Sequence, residues 1–313
     1  MRALVTGGAG FIGSHVLRRL LDDGLDVRVL DNFATGRREN LVGVDGDVEL
    51  VEGDIQSYER VHNAVTGCDQ VFHLAALPSV PRSVQDPLTS NASNVIGTLN
   101  VLLASRDASV QRVVFASSSS VYGANPVMPK HEDLAPAPMS PYAVSKLAGE
   151  GYCRSFHTVY GLSTVAVRYF NVFGARQDPL SQYAAVIPRF ILAGLRGHAP
   201  LVFGDGEQSR DFTFVENAVA ATVLAMRAPA HVAGGVFNVA CGERLTLNQT
   251  IAELELIIGS PIIAEYRPGR PGDIKHSLAD ISKAREQLGY EPSVSFADGL
   301  RRSVAHYAAL EGT

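Results

Sequence analysis

Tyr142 and Lys146 stand four residues apart in the run Tyr142-Ala143-Val144-Ser145-Lys146. On a helix those positions share a face. A phenol ordinarily titrates near ~10, so acting as a base near neutrality requires a fall of about 3 pH units, worth roughly 4 kcal/mol. A neighbouring ammonium, or a cationic ring, favours the phenolate. Such a pair is common by chance on a helix surface. It gains meaning from Phe115-Ala116-Ser117-Ser118-Ser119-Ser120-Val121-Tyr122-Gly123 just upstream, where an apolar run empties into hydroxyls. One of those hydroxyls can hydrogen-bond a reacting oxygen and relay its proton to Tyr142. Without Tyr142 the serine run reads as a polar turn.

A second constellation lies at the N-terminus. Thr6-Gly7-Gly8-Ala9-Gly10-Phe11-Ile12-Gly13 joins an apolar strand to a helix. Gly7 permits the tight turn, Gly10 lets backbone approach a pyrophosphate, and Gly13 allows close helix–strand packing. The helix that opens at Phe11 and Ile12 then offers free N–H groups to phosphates. Asp31 closes the next strand, 18 residues after Gly13. A carboxylate there accepts both ribose hydroxyls of an adenosine and repels a 2′-phosphate, which favours NAD over NADP. Arg37 and Arg38 keep NADP open as the alternative. Asp54, followed by Ile55, could meet the adenine amino group. Leu74-Ala75-Ala76 is small enough for a cofactor to lie across the strand ends. Taken alone, each of these last segments is as readily plain packing.

The elements that must position these groups are visible in the apolar pattern. Strands are expected at Arg2–Thr6, Val27–Leu30, Val48–Glu52, Gln70–Leu74, Arg112–Ala116 and Thr164–Tyr169. Helices are expected at Ser14–Asp23, Tyr58–Val65, Pro87–Ser105 and Pro141–Tyr160. Apolar strands alternating with helices imply a parallel sheet covered on both faces. The pattern loosens after Phe173 into Pro- and Gly-rich loops with short helices at Ala218–Met226, Leu247–Ile258 and Asp280–Leu288. The expected fold is therefore α/β, a Rossmann-type doubly wound parallel sheet with a smaller C-terminal α/β substrate-binding lobe. The division falls at 1–173 and 174–313, with some later segments returning to the first part.

Bulk properties set the remaining limits. The chain has 313 residues, 46% hydrophobic and 19% charged, with a formal net charge of −5. Acidic and basic residues are interspersed, so neither a nucleic-acid stripe nor a polybasic membrane patch is expected. Cys68, Cys153 and Cys241 form no CxxC pair, which suggests a reducing compartment. No apolar run approaches the roughly 18 residues of a membrane span. No signal-peptide pattern opens the sequence, so a cytoplasmic protein is expected. The nine histidines show no ligand spacing, and no metal is expected.

With these residues assembled, the chain resembles the extended short-chain dehydrogenase/reductases that act on nucleotide sugars. The likeness spans nearly the whole length and rests on TGGAGFIG, Asp31-Asn32, His73-Leu74-Ala75-Ala76, SSSSVYG, SPYAVSK and Arg168-Tyr169-Phe170-Asn171-Val172-Phe173-Gly174. It implies Ser118 as the relaying hydroxyl with Ser119 beside it, Tyr142 as base, and Lys146 as its tuner and the holder of the nicotinamide ribose. Other segments are similar to UDP-sugar 4-epimerases. That likeness places Arg210, in Gly204-Asp205-Gly206-Glu207-Gln208-Ser209-Arg210-Asp211-Phe212, and Arg270 on the UDP diphosphate. It places Asp273 on the uridine ribose, and Asn171 where it orients diphosphate and sugar. Two arginines separated by a lobe suit a pyrophosphate.

The sister 4,6-dehydratases carry Asp-Glu where Ser119-Ser120 stand here, and UDP-glucuronate decarboxylases usually show a Glu at the second position. The resemblance thus favours C4 epimerisation of a UDP-hexose through a transient 4-keto sugar, with NAD retained. Gln177-Asp178-Pro179, Tyr183-Ala184-Ala185-Val186-Ile187-Pro188 and Pro78-Ser79-Val80-Pro81-Arg82-Ser83 resemble the branch that handles N-acetylated sugars in bacterial polysaccharide pathways. Ser79 and Gln177 would face the sugar. Ser277 stands where glucose-only enzymes carry a bulky Tyr, although a small residue there is equally explained by packing or solvent. UDP-N-acetylglucosamine/UDP-N-acetylgalactosamine is the expected pair, with UDP-glucose/UDP-galactose possible. A UDP-uronic acid 4-epimerase, a dehydratase, decarboxylase or reductase, and an NAD-binding sensor scaffold stand as alternatives. The family analogy also implies a homodimer built from the helices Pro87–Ser105 and Pro141–Tyr160.

Overall fold

The computed structural model describes residues 1–44, 46–180, 185–269 and 275–312. Six strands arise where the apolar pattern places them: β1 Arg2–Thr6, β2 Asp26–Asp31, β3 Val48–Glu52, β4 Gln70–His73, β5 Arg112–Ser118 and β6 Thr164–Tyr169. A seventh, Gly235–Val239, comes from the C-terminal part of the chain and pairs with β6. The spatial order is Gly235–Val239, β6, β5, β4, β1, β2, β3, and every pairing is parallel.

Alternation along each strand feeds two cores. Ala3 and Val5 pack on one face while Leu4 packs on the other; Val114 and Ala116 of β5 are likewise opposed to Val113 and Phe115. The chain order reverses between β1 and β4, and at such a switch point the connecting loops leave a crevice beyond the strand ends.

The helix Pro141–Tyr160 crosses the back of β5. Ser140 caps it, Pro141 occupies its first turn, and Gly161 closes it with a left-handed φ of 72°. Gly149 allows the contact, because a Cβ there would meet the Phe115 ring at 2.4 Å. The expected helix Pro87–Ser105 is present but not regular: α-helical turns at Pro87–Asn91 and Gly97–Asp107 flank a π-helical stretch, Ala92–Ile96.

Of the remainder, the helix Val215–Arg227 packs against β5, β6 and the helix Phe11–Asp22, while the helices Val186–Leu195, Leu247–Ile258 and Phe296–Glu311 pack on one another. Among the described residues, Val172–Phe173 pairs with Thr213–Phe214, Ser209–Arg210 with Leu245–Thr246, and Leu201–Phe203 with Glu265–Arg267. Among the described residues, no helix is long and apolar enough to cross a membrane.

Candidate active site

The glycine loop is shaped by close approach. Gly7 has a φ of +72°, and a Cβ on it would lie 2.7 Å from the Ala75 backbone nitrogen, so β1 and β4 can end side by side only with glycine here. Gly13 has no room either, since its Cβ would fall 2.0 Å from the Gly7 carbonyl oxygen. A Cβ at Gly10 would meet a single neighbour, the same carbonyl at 3.0 Å. The helix α1, Phe11–Asp22, starts from Gly10 with no side-chain cap and no acidic residue in its first turn. Its leading amides are thus available to an anion.

Asp31 ends β2 almost fully buried. Its Oδ2 accepts the Ala9 amide at 2.9 Å and its Oδ1 the Phe33 amide at 2.8 Å. Burial pushes its carboxyl above the usual range. Each oxygen keeps a second lone pair, as two ribose hydroxyls require. Arg37 pairs with Asp178 at 2.6 Å, and Arg38 pairs with Glu52 at 2.5 Å while lying over the Phe33 ring. Both arginines that could have welcomed a 2′-phosphate are therefore engaged. Asn32 donates to Asp54 at 2.8 Å, and Ile55 is buried against Gly97. Leu74, Ala75 and Ala76 lie half-buried beyond β4. These residues fit NAD: an open amide-rich loop after β1, a carboxylate at the end of the neighbouring strand β2, and small side chains after β4 on the other side.

At the end of β5 the catalytic candidates meet. The Ser118 hydroxyl faces the Tyr142 phenol and favours its ionisation, but burial outweighs this and raises the phenol's pKa. Ser118 Oγ also accepts from the Ser120 hydroxyl at 2.9 Å and the Ser120 amide at 3.2 Å, and Ser119 stands half-buried between them. Lys146 is buried, its Nζ donating to the Ala116 carbonyl at 2.8 Å and lying 5.9 Å from the centre of the Tyr142 ring. Burial lowers its pKa to about 8.

Around this centre, Asn171 follows β6 with a φ of 36° and donates to the Asp211 carbonyl at 2.9 Å. Arg210 precedes Asp211 and donates to the carbonyls of Ser209 and Lys275. The Ser277 amide donates to Ser209 at 3.0 Å, which sets Ser277 beside Arg210. Ser79 caps the short helix Val80–Gln85. Gln177 donates to the Val172 carbonyl while its Oε1 is buried without a partner. Arg270 and Asp273 lie outside the described residues, as do Tyr183 and Ala184. Asn171, Arg210 and Ser277 are thus drawn together, while Ser79 stands on a different element.

A model of the NAD dependent epimerase/dehydratase family matches residues 3–240. The chain belongs to that family. It is 40% identical over 317 aligned residues to a UDP-glucose 4-epimerase of Mycolicibacterium smegmatis, covering 98% of each chain. A UDP-N-acetylglucosamine 4-epimerase of Methanobrevibacter ruminantium, solved with UDP-N-acetylmuramic acid, matches with a TM-score of 0.94 and 43% identity over 99% of this chain and 98% of that one. A UDP-glucose 4-epimerase of Thermotoga maritima, solved with UDP-glucose, gives a TM-score of 0.94 at 39% identity over 99% and 100%. The family is NAD-dependent, and these three relatives are UDP-sugar 4-epimerases.

Within this family fold, several supporting residues escape a reading of spacing alone. Asn94, in the π-helical stretch, bonds the Leu77 amide and carbonyl and the Ser145 hydroxyl, tying three segments behind Tyr142. Ser83 accepts the Tyr142 amide at 3.0 Å. Asp211, fully buried, accepts the amides of Cys241, Gly242 and Ala279; burial raises its pKa to about 6. Glu150 grips Ser117 and Arg168 from the helix that carries Tyr142. Only Glu150 carried a usable signal, being four residues past Lys146 and eight past Tyr142 on one helical face.

Proposed function

We propose that this chain interconverts UDP-N-acetylglucosamine and UDP-N-acetylgalactosamine by inversion at C4, with UDP-glucose and UDP-galactose as a second pair. The reading is carried by the grouping of Ser118, Tyr142 and Lys146 at the end of β5, beside the glycine loop. NAD, when bound, would supply the hydride chemistry at C4. The chain's own groups handle the proton. Ser118 hydrogen-bonds the C4 hydroxyl and passes its proton to Tyr142, so that C4 becomes a carbonyl as the hydride leaves. Lys146, held on the Ala116 carbonyl, keeps a positive charge beside the phenolate.

The keto sugar must then present its other face to the same Tyr142 and the same nicotinamide. Arg210 on the diphosphate anchors the nucleotide while the sugar turns, with Arg270 and Asp273 in the same task. Asn171 orients the diphosphate and sugar. Tyr142 finally returns the proton through Ser118. Ser119 and Ser120 supply no acid–base pair for eliminating water, which supports inversion over dehydration.

The choice of sugar is supported by Ser277. Its side chain is small, and the backbone bond to Ser209 sets it next to Arg210. Ser79 and Gln177 are assigned to the same sugar. A homodimer is supported by apolar side chains left in water on the two helices and the segments leading into them. Leu88 is 82% exposed, Ile96 47%, Met139 60% and Val144 53%.

The test is product analysis by NMR after incubation with UDP-N-acetylglucosamine, UDP-glucose, UDP-glucuronic acid and UDP-N-acetylglucosaminuronic acid, each without added cofactor. The expected result is the C4 epimer of the N-acetylated hexose formed fastest. Faster turnover of a uronic acid, or loss of its carboxyl carbon, would overturn the choice of sugar.

A further inference from the structure

Three consecutive residues at the end of β5 are each engaged by a different turn of the helix Pro141–Tyr160. The Ala116 carbonyl accepts from Lys146 Nζ at 2.8 Å. The Ser117 hydroxyl donates to Glu150 Oε1 at 2.5 Å. Ser118 faces Tyr142. Tyr142, Lys146 and Glu150 occupy positions i, i+4 and i+8, one stripe of that helix. Two members of the stripe belong to the reaction proposed above; the third does not touch it.

Glu150 is buried, and so is its second partner. Arg168 of β6 donates to Glu150 Oε1 through Nε at 2.8 Å and to Oε2 through Nη2 at 2.7 Å, a two-pronged ion pair with both side chains about 95% buried. Arg168 also lies over the Tyr122 ring at 4.6 Å. A buried ion pair is a poor way to gain stability, since an apolar pair of similar volume generally does as well. Its placement is therefore better explained by what it holds. It joins the helix to β6 directly and to β5 through Ser117, one turn below Lys146.

We propose that Glu150 is a positioning residue for catalysis: with Arg168 and Ser117 it clamps the end of β5 to the catalytic helix and so holds Lys146 on the Ala116 carbonyl. The groups facing Lys146 are Tyr142, Cys153 and Glu150 from its own helix and His73 from β4, with Arg168 of β6 held on Glu150. Among them Glu150 brings the carboxylate. His73 is buried between Thr6 and Thr98, and burial holds it neutral, at about 3. Burial works against the Lys146 ammonium, while Cys153 and then Glu150 work for it.

The inference rests on Tyr142 and Lys146 carrying the proton chemistry, so Tyr142→Phe is assayed alongside. Glu150→Gln alone would strand the buried Arg168 charge, so the informative variant is Glu150→Gln with Arg168→Gln. For it, kcat on UDP-N-acetylglucosamine or UDP-glucose should fall tenfold or more, on the order of what a displaced acid–base group costs. KM should stay put and the alkaline limb of the kcat profile should hold near the parent pH, since the pair taken away carries no net charge. Glu150→Asp keeps the charge and should leave the limb in place. Ser117→Ala removes one hydroxyl, strands no charge, and keeps the test readable if the double variant does not fold. It should lower kcat roughly threefold, the worth of one hydrogen bond, with the limb unmoved.

Parent kcat in Ser117→Ala overturns the proposal. So does a folded double variant with the parent kcat, which would leave Glu150 a purely structural role. If Tyr142→Phe remains active, the underlying assignment fails instead. If Tyr142→Phe is inactive while the Glu150 and Ser117 variants match the parent, only the clamp is wrong.

Discussion

Lys146 Nζ lies 5.9 Å from the centre of the Tyr142 ring, and its hydrogen bond goes elsewhere, to the Ala116 carbonyl at 2.8 Å. The ammonium therefore acts on the phenol through space. Burial raises the Tyr142 pKa and lowers that of Lys146 to about 8. The chain's own groups thus leave Tyr142 protonated at neutral pH. The further positive charge that a phenolate needs is the kind an oxidised nicotinamide supplies when bound.

This sets a pH dependence. Lys146 is charged below about 8 and loses its proton as the pH rises through that value. The charge that favours the phenolate is lost with it, so kcat should decline above about pH 8. Lys146→Met should lower kcat by about a hundredfold at pH 7.5, within the range for removing acid–base support. A kcat profile flat from pH 7 to 9.5 would separate Lys146 from the reaction.

Asp31 makes two backbone bonds and is placed to take two more from a ribose. Asp31→Ala should weaken NAD binding by ~10–100-fold, the range for bonds to a charged group. It should also loosen the glycine loop, which will show as a lower Tm. Because Arg37 and Arg38 are paired with Asp178 and Glu52, the parent protein should bind NADP far more weakly than NAD. Calorimetric titration with both nucleotides measures this; equal affinities would remove Asp31 from its assigned role.

Ser277 is the residue on which the choice of sugar turns. Ser277→Tyr should cut kcat/KM for UDP-N-acetylglucosamine tenfold or more, while UDP-glucose is spared. The loss comes from overfilling a space, for which an overpacking cost of about 1–3 kcal/mol is typical. Undiminished activity on the N-acetylated pair would show that position 277 does not gate the sugar.

The exposed apolar residues of the two helices give an assembly prediction. Leu88→Glu combined with Val144→Glu should turn a dimer of 33.4 kDa chains into a monomer in sedimentation velocity. An unchanged sedimentation coefficient would place the dimer contact elsewhere.

The features legible in the sequence were those whose chemistry is local. The glycine loop and Asp31 announce themselves because turn, helix start and strand end follow within a few residues. β1 to β6 could be placed because parallel strands buried on both faces read as short apolar runs. The strand Gly235–Val239 stayed hidden. It is five residues set among Gly-rich loops, and its partner β6 lies about seventy residues earlier. The π-helical stretch at Ala92–Ile96 was invisible for another reason: one extra residue per turn barely disturbs the apolar spacing, yet it turns Asn94 inward to Leu77 and Ser145. Asp211 looks like an ordinary surface acid in the sequence, and Glu150 offers only its place on the helical face of Tyr142 and Lys146. Their burial depends on partners 18 to 68 residues away, brought near only by the sheet.

In the proposed reaction the hydrogen on C4 leaves as hydride and comes back as the same hydride, while only the hydroxyl proton passes through Ser118 and Tyr142. Running the epimerisation in D2O and reading the C4 position of the product by NMR decides this. Protium at C4 in both epimers is expected. Deuterium at C4 would mean that the carbon itself is deprotonated and reprotonated from solvent, and would rule hydride return out.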